Sequence, residues 1–119
     1  MGESRKYDLQ RRLVKFSAEI ILNVGGLNKN FASENLIKQL IRSSSSAALN
    51  YGEAQAAESR RDFIHKMKVC LKELRESQVN LEILKESRLI KDIDSFDKII
   101  NESKELVAIF TSSIKTSEK

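Results

Sequence analysis

The sequence predicts an all-α protein that folds as an antiparallel up-down four-helix bundle. Pro is absent from its 119 residues, Gly occurs only 4 times and aromatic residues make up 6%, which suits packed helices better than a β-sandwich or barrel. Apolar residues recur at helical spacing in four segments joined by short polar connections. Because no linker or internal repeat divides the chain, residues 1–119 are expected to form a single domain with one hydrophobic core.

The first predicted helix spans about residues 7–24, where apolar side chains recur three and four positions apart. Gly25-Gly26 is expected to end this helix with a left-handed cap, since glycine tolerates positive φ. The apolar face consists of Leu9, Leu13, Phe16 and Ile20.

The second predicted helix, over about residues 33–56, contains a run of four serines, Ser43 to Ser46. Serine competes for backbone hydrogen bonds and often indicates a loop. Here the helical period continues on both sides of the run, so we predict helix through it, with Ser33 as the N-cap. These small side chains let a neighbouring helix approach closely. The inward face consists of Leu36, Leu40, Ser44, Ala47 and Tyr51.

The third and fourth predicted helices span about residues 59–87 and 92–115. Ser59 followed by Asp62 is a variant of the capping box that starts the third helix, and Asp92 or Asp94 opens the fourth. The third carries an apolar face of Phe63, Met67, Cys70, Leu71, Leu74 and Leu81. The fourth carries Ile93, Phe96, Ile99, Ile100, Leu106, Val107, Phe110 and Ile114.

Charge and composition narrow the function classes. The net charge of +4 and pI near 9.3 permit a nucleic-acid partner without requiring one. No apolar run approaches the ~18 residues that a membrane span needs, and no apolar segment follows the charged N-terminus as in a signal peptide. The lone Cys70 cannot form an internal disulfide, so a reducing cytoplasm is the expected compartment, without membrane association.

Five motifs follow one another in order through most of the chain: Gln39-Leu40-x-Arg42-Ser43, Asn50-x-x-Glu53-Ala54, Ser59-x-x-Asp62-Phe63-Ile64-x-Lys66-Met67, Leu71-Lys72-Glu73-x-Arg75-Glu76 and Phe110-Thr111-Ser112-x-Ile114-Lys115-Thr116. This ordered series resembles the 23S rRNA intervening-sequence family, also called S23-type proteins. The sequence departs from the family pattern at three positions. Ser46 and Tyr51 replace the usual aliphatic residues, and Asn80 stands where an aromatic residue is common.

This resemblance implies a small helical bundle that assembles into a ring-like homo-oligomer, commonly a pentamer. Some members of the family are encoded inside intervening sequences of ribosomal RNA genes. Relatives accompany diversity-generating retroelements, where they bind the reverse transcriptase and nucleic acid. RNA or DNA, a reverse transcriptase and further copies of this chain are therefore the expected partners. No enzymatic activity is established for the family.

A basic stripe on the third helix is the best functional candidate from the residues themselves. At ~100° per residue, its five members fall inside an arc of about 80°, opposite the apolar face. Such a row can follow a phosphate backbone, each contact releasing counterions. The competing interpretation is a solvated outer face whose charges are balanced by neighbouring carboxylates. The stripe consists of Arg61, His65, Lys68, Lys72 and Arg75.

Two other polar groupings favour structural roles. Arg42, Asn50 and Glu53 share one flank of the second helix, which indicates either a polar network between subunits or a hydrogen bond between helices of one chain. A basic cluster near the N-terminus has no interleaved aromatic residue for base stacking, so oligomer contacts or solubility are favoured over recognition. Its members are Arg5, Lys6, Arg11, Arg12 and Lys15.

The residues with catalytic potential are few. Asp62 and His65 stand one turn apart, but His65 is the only histidine, and a di-iron bundle needs two Glu-x-x-His units. Cys70 lies on the apolar face, away from His65, and Gly25-Gly26 alone forms no phosphate-binding loop. We therefore predict no catalytic residues, metal site or cofactor. The expected function is a non-enzymatic oligomer that binds nucleic acid or a nucleic-acid-binding partner; the alternative is a structural scaffold that binds none.

Overall fold

The computed structural model describes residues 2–25, 27 and 30–119 of the chain, with side chains from Asp8 onward. Within these ranges the chain forms four α-helices and no strand: α1 (Gly2–Val24), α2 (Phe31–Gln55), α3 (Arg60–Glu86) and α4 (Ile93–Glu118). Each helix packs on the one before it, and α4 returns to contact α1. The predicted antiparallel four-helix bundle is confirmed. The first helix begins earlier, and the fourth ends later, than the sequence indicated.

The start of α2 differs from the prediction in its capping residue. Asn30, and not Ser33, is the N-cap: its side-chain oxygen accepts a hydrogen bond from the Ser33 backbone N–H at 2.9 Å. The Ser33 hydroxyl in turn accepts from the Asn30 N–H at 3.0 Å, which completes a reciprocal capping box. Both residue types favour the N-cap, and the structure uses Ser33 as the third helical residue instead.

The other helix ends combine expected and unexpected features. Ser59 caps α3 as predicted and accepts from the Asp62 N–H at 3.0 Å, while Asp92 caps α4. Hydrogen bonds from Ser95 hold the pKa of the Asp92 carboxyl below its ordinary value. Gly25 has no positive φ, and Gly26, the other residue of the predicted left-handed cap, lies outside the described residues. The chain turns left-handed after α3, at Arg88, with φ of 62°.

The apolar core follows the predicted faces closely. Leu74 and Phe110 are fully buried, and Phe63 is partly buried against the same core. Ile93 is an exception: as the first residue of α4 it is 40% exposed, so the predicted stripe begins one turn too early. Tyr51, one of the departures from the family pattern, packs edge-on against Phe110 with ring centroids 5.7 Å apart.

A polar seam runs through the interior where α2 meets its neighbours. The helix continues through Ser43 to Ser46 as predicted, and Ser43 and Ser44 are both fully buried. The Ser43 and Ser77 hydroxyl oxygens lie 2.7 Å apart, linking α2 to α3, and those of Ser17 and Ser44 lie 3.2 Å apart, linking α1 to α2. These small side chains replace larger apolar ones at the helix contacts, and their hydroxyls need partners because they are buried.

Candidate nucleic-acid interface

The basic stripe lies along one solvent-facing side of α3. The helix is continuous from Arg60 to Glu86, so the predicted angular arrangement is preserved. All five members of the stripe are exposed: Arg61, His65, Lys68, Lys72 and Arg75. Their position on the outer surface agrees with the sequence analysis, and their role in binding stays a prediction.

Most of this stripe is free of internal partners. Among the described side chains, Lys68 is the one member with an ion pair: its Nζ lies 3.1 Å from the carboxylate of Glu118 in α4. Across the described part of the chain, no hydrogen bond or ion pair engages the other members, among them Lys72 and Arg75. The stripe therefore presents positive charge that the protein itself does not neutralise, which is the property that a phosphate-binding surface needs.

On the side of α3 that faces α2, acidic side chains pair with Arg42. The Arg42 guanidinium donates to Glu73, at 3.1 Å, and to Glu76, so it ties α2 to α3. Glu73 is only 6% exposed, and a carboxylate buried this far needs such a partner. For Arg42 the structure thus favours the intramolecular interpretation of the predicted polar grouping.

Asn50 and Glu53, the other members of that grouping, do not join Arg42. Asn50 donates to the backbone carbonyl of Ser46 at 2.8 Å and to its hydroxyl at 3.1 Å, within α2. Glu53 is exposed and makes no hydrogen bond or ion pair with any residue that the structure describes. The three residues share a flank without forming a network, and a subunit-interface role for Asn50 and Glu53 stays a prediction.

Two lysines of α4 that the sequence analysis did not single out lie beside the basic stripe. Asp97 pairs with Lys85 at 2.6 Å and Glu118 with Lys68, so one flank of α4 faces α3. Lys104 and Lys115 fall on this flank at the helical period, both are exposed, and neither has an ion-pair partner among the described side chains. Only their spacing of eleven residues, about three turns, could have indicated that they act together.

The N-terminal basic cluster contributes to packing. Arg12 forms a two-point contact with Glu102 of α4, at 2.6 and 3.0 Å, and also reaches Glu105 at 3.3 Å. The hydrogen bond to Glu102 raises the pKa of the Arg12 guanidinium. Arg11 and Lys15 are exposed, and the side chains of Arg5 and Lys6 lie outside the described residues.

A groove of about 510 Å³ lies beside the contact between Arg12 and Glu102. It is lined by Arg12, Lys15, Phe16, Glu19, Ser95, Lys98, Ile99 and Glu102. Both basic and acidic groups line it.

The groups with catalytic potential lie apart. Cys70 is fully buried, its thiol donates to the Ala47 carbonyl with 3.5 Å between the heavy atoms, and burial raises its pKa to about 12. Asp62 pairs with Lys66 at 3.5 Å, while His65 faces solvent. Across the described side chains, no three His, Cys, Asp or Glu residues gather as metal ligands would. None of the helices, in the ranges described, carries an apolar stretch long enough to cross a membrane.

The helix order and packing define a small all-α protein of the four-helix bundle class. The chain belongs to the family of 23S rRNA-intervening sequence proteins, whose family model matches residues 5–112. It is also similar to the crystal structure of a protein of unknown function from the S23 ribosomal protein family of Bacteroides thetaiotaomicron VPI-5482. The two share 30% sequence identity over 92% of this chain and 97% of that one, with a TM-score of 0.76. No protein with a curated description matches the chain in sequence.

Proposed function

We propose that this protein is a non-enzymatic, oligomeric bundle of the cytoplasm that binds nucleic acid through the basic stripe of α3. The observation that carries the proposal is a row of exposed basic side chains, from Arg61 to Arg75, of which only Lys68 has an ion-pair partner among the described residues. The row spans fifteen residues of continuous helix, a rise of about 21 Å from first to last, which is enough to meet several phosphates.

The contacts available on this stripe favour binding with little sequence preference. Arginine and lysine can pair with phosphates of any sequence, whereas reading a sequence requires side chains that reach base edges. The helix also stays packed between α2 and α4, so its outer residues are held on a rigid support. The family is named after intervening sequences of 23S rRNA, and the similar crystal structure carries a ribosomal designation, which makes RNA the first ligand to test.

Exposed apolar side chains support the oligomeric part of the proposal. Val14 and Ile21 of α1 are 53% and 49% exposed, and Leu49 of α2 is 71% exposed. Contacts between copies of the chain would remove such surface from water. A ring, such as the pentamer that the family resemblance implies, would pair this surface with a different patch on the next subunit. Sedimentation of a stable monomer at tens of micromolar would contradict this part.

A salt titration of RNA and DNA binding tests the stripe. The variant Lys72→Gln/Arg75→Gln removes two charges that form no ion pair with any described side chain, and it should flatten the plot of log K against log salt by about 0.7–0.9 per lost contact. The matched control, Lys38→Gln/Lys98→Gln, removes two exposed and unpaired charges from other faces of the described bundle. If both variants bind like the parent, or if the parent binds neither polymer, the scaffold interpretation replaces this one.

A further inference from the structure

We propose that the nucleic acid is double-stranded, and that its footprint crosses from α3 onto α4 through Lys104 and Lys115. This inference rests on the proposed function and adds the class of ligand and a second row of contacts. Two ion pairs join the exposed edges of α3 and α4. Lys68–Glu118 marks one end of the shared surface and Lys85–Asp97 the other.

The surface between these two ion pairs carries mostly positive charge. Its five basic residues are accompanied by Glu82 and by Glu118, and Glu118 already pairs with Lys68. On the α2 side of α3, by contrast, Arg42 is taken up by Glu73 and Glu76. Positive potential therefore continues from the stripe toward α4 and not toward α2. The basic residues of this α3–α4 surface are Lys68, Lys72, Arg75, Lys104 and Lys115.

The arrangement of the charges suits two phosphate strands. The basic residues stand in two roughly parallel rows, one on each helix, and packed helix axes lie about 8–10 Å apart. This separation is of the same order as the distance between the two phosphate strands across a groove of B-DNA, whose grooves are about 6 and 12 Å wide. One row can thus contact the strand on one side of a groove while the other row contacts the facing strand.

The α3–α4 surface also lacks the groups that hold single strands. Proteins that bind single-stranded nucleic acid stack its bases on exposed aromatic rings. Phe96 and Phe110 of α4 are buried in the core, and Phe63 of α3 packs against it. The exposed aromatic ring among the described side chains is Phe31, which is 89% exposed and belongs to the start of α2, not to α3 or α4. A duplex does not need exposed aromatic rings, because its bases are already stacked on one another.

Binding of a short blunt duplex and of its separated strands, with DNA and RNA versions of each, tests the inference. The parent should bind one or both duplexes more tightly than any single strand. Lys104→Gln/Lys115→Gln should weaken duplex binding about tenfold or more at 0.1 M salt and reduce the salt slope by about 1.8, which corresponds to two lost contacts. The control Lys38→Gln/Lys98→Gln, with the same change of net charge, should stay within about twofold of the parent.

The outcomes separate this inference from the proposed function. Loss of binding in Lys72→Gln/Arg75→Gln, with Lys104→Gln/Lys115→Gln behaving like the control, keeps the α3 stripe and overturns the extension to α4. Single strands that bind as tightly as duplexes overturn the double-stranded assignment. A parent protein that binds none of the four probes overturns the proposed function itself, and this inference with it.

Discussion

Ser43 and Ser77 form a buried pair between α2 and α3. Variants of Ser43 can show whether serine is needed there for close packing of the two helices or for its hydrogen bond. Ser43 and Ser77 are both 0% exposed, with their hydroxyl oxygens 2.7 Å apart. Each hydroxyl also has a backbone acceptor in its own helix, the Leu40 carbonyl at 3.2 Å and the Glu73 carbonyl at 2.9 Å. Two protons cannot supply three hydrogen bonds, so one of the three is always unmade.

Because one of these hydrogen bonds is always unmade, removing one hydroxyl should lower the free energy of unfolding only slightly. After Ser43→Ala, the Ser77 hydroxyl still donates to the Glu73 carbonyl, so no donor is left without an acceptor. The loss of a net hydrogen bond costs about 1 kcal/mol, and the better helix propensity of alanine returns up to ~0.5 kcal/mol. The free energy of unfolding should therefore fall by less than ~1 kcal/mol.

Enlarging the same side chain should be far more damaging. Ser43→Leu replaces the hydroxyl oxygen with three carbon atoms where two helices already meet, and overpacking of this kind costs about 1–3 kcal/mol or more. Urea unfolding of both variants at one protein concentration measures the contrast through the midpoint at unchanged m-value. A loss above ~2 kcal/mol for Ser43→Ala, or a neutral Ser43→Leu, would show that hydroxyl bonding, and not helix proximity, selects serine here.

Three other sites test the core, a helix end and the buried thiol. Leu74→Ala should cost about 2–5 kcal/mol in urea unfolding, since the side chain is fully buried; a change below ~0.5 kcal/mol would mean that α3 is rotated. Arg88→Gly should stabilise the fold by about 1 kcal/mol, because the left-handed φ of 62° strains a residue with a Cβ; a loss of stability would contradict this. Cys70, whose pKa is raised to about 12, stays protonated in the folded state while the unfolded thiol ionises from its ordinary value of 9.0. Stability should thus fall between pH 9 and 12 more steeply in the parent than in Cys70→Ala, by up to ~1.4 kcal/mol per pH unit, and equal pH profiles would refute the assignment.

The helices and most of the core could be predicted because local and tertiary preferences agree. The apolar period continues through Ser43 to Ser46, and this outweighed the loop-like composition of the run. The start of α2 was predicted wrongly because Asn30 and Ser33 are both good N-cap residues. The residue types alone do not show that Asn30 is the cap and Ser33 its partner in the capping box. The left-handed turn at Arg88 leaves no sequence signal, since glycine or asparagine would be the usual residue there.

Only part of the candidate site could be predicted from the sequence. A single helix can be drawn at 100° per residue, so the stripe of α3 follows from its own spacing. Lys104 and Lys115 belong to the same surface only because Asp97 and Glu118 of α4 pair with α3, and a pattern within one helix cannot show that. The partners of Arg42 were hidden for the same reason, because they lie 31 and 34 positions away.

The α3–α4 surface divides its charges between holding the helices together and leaving positive charge exposed. Lys68 and Lys85 are engaged by carboxylates of α4, near the two ends of the surface. Lys72, Arg75 and the two lysines of α4 lie between these ends, and no ion pair within the described bundle engages them. Surface charges of this kind contribute little to folding, so replacing them should change the free energy of unfolding by less than about 0.5 kcal/mol. Any loss of nucleic-acid binding in these variants would then reflect the interface and not the stability of the bundle.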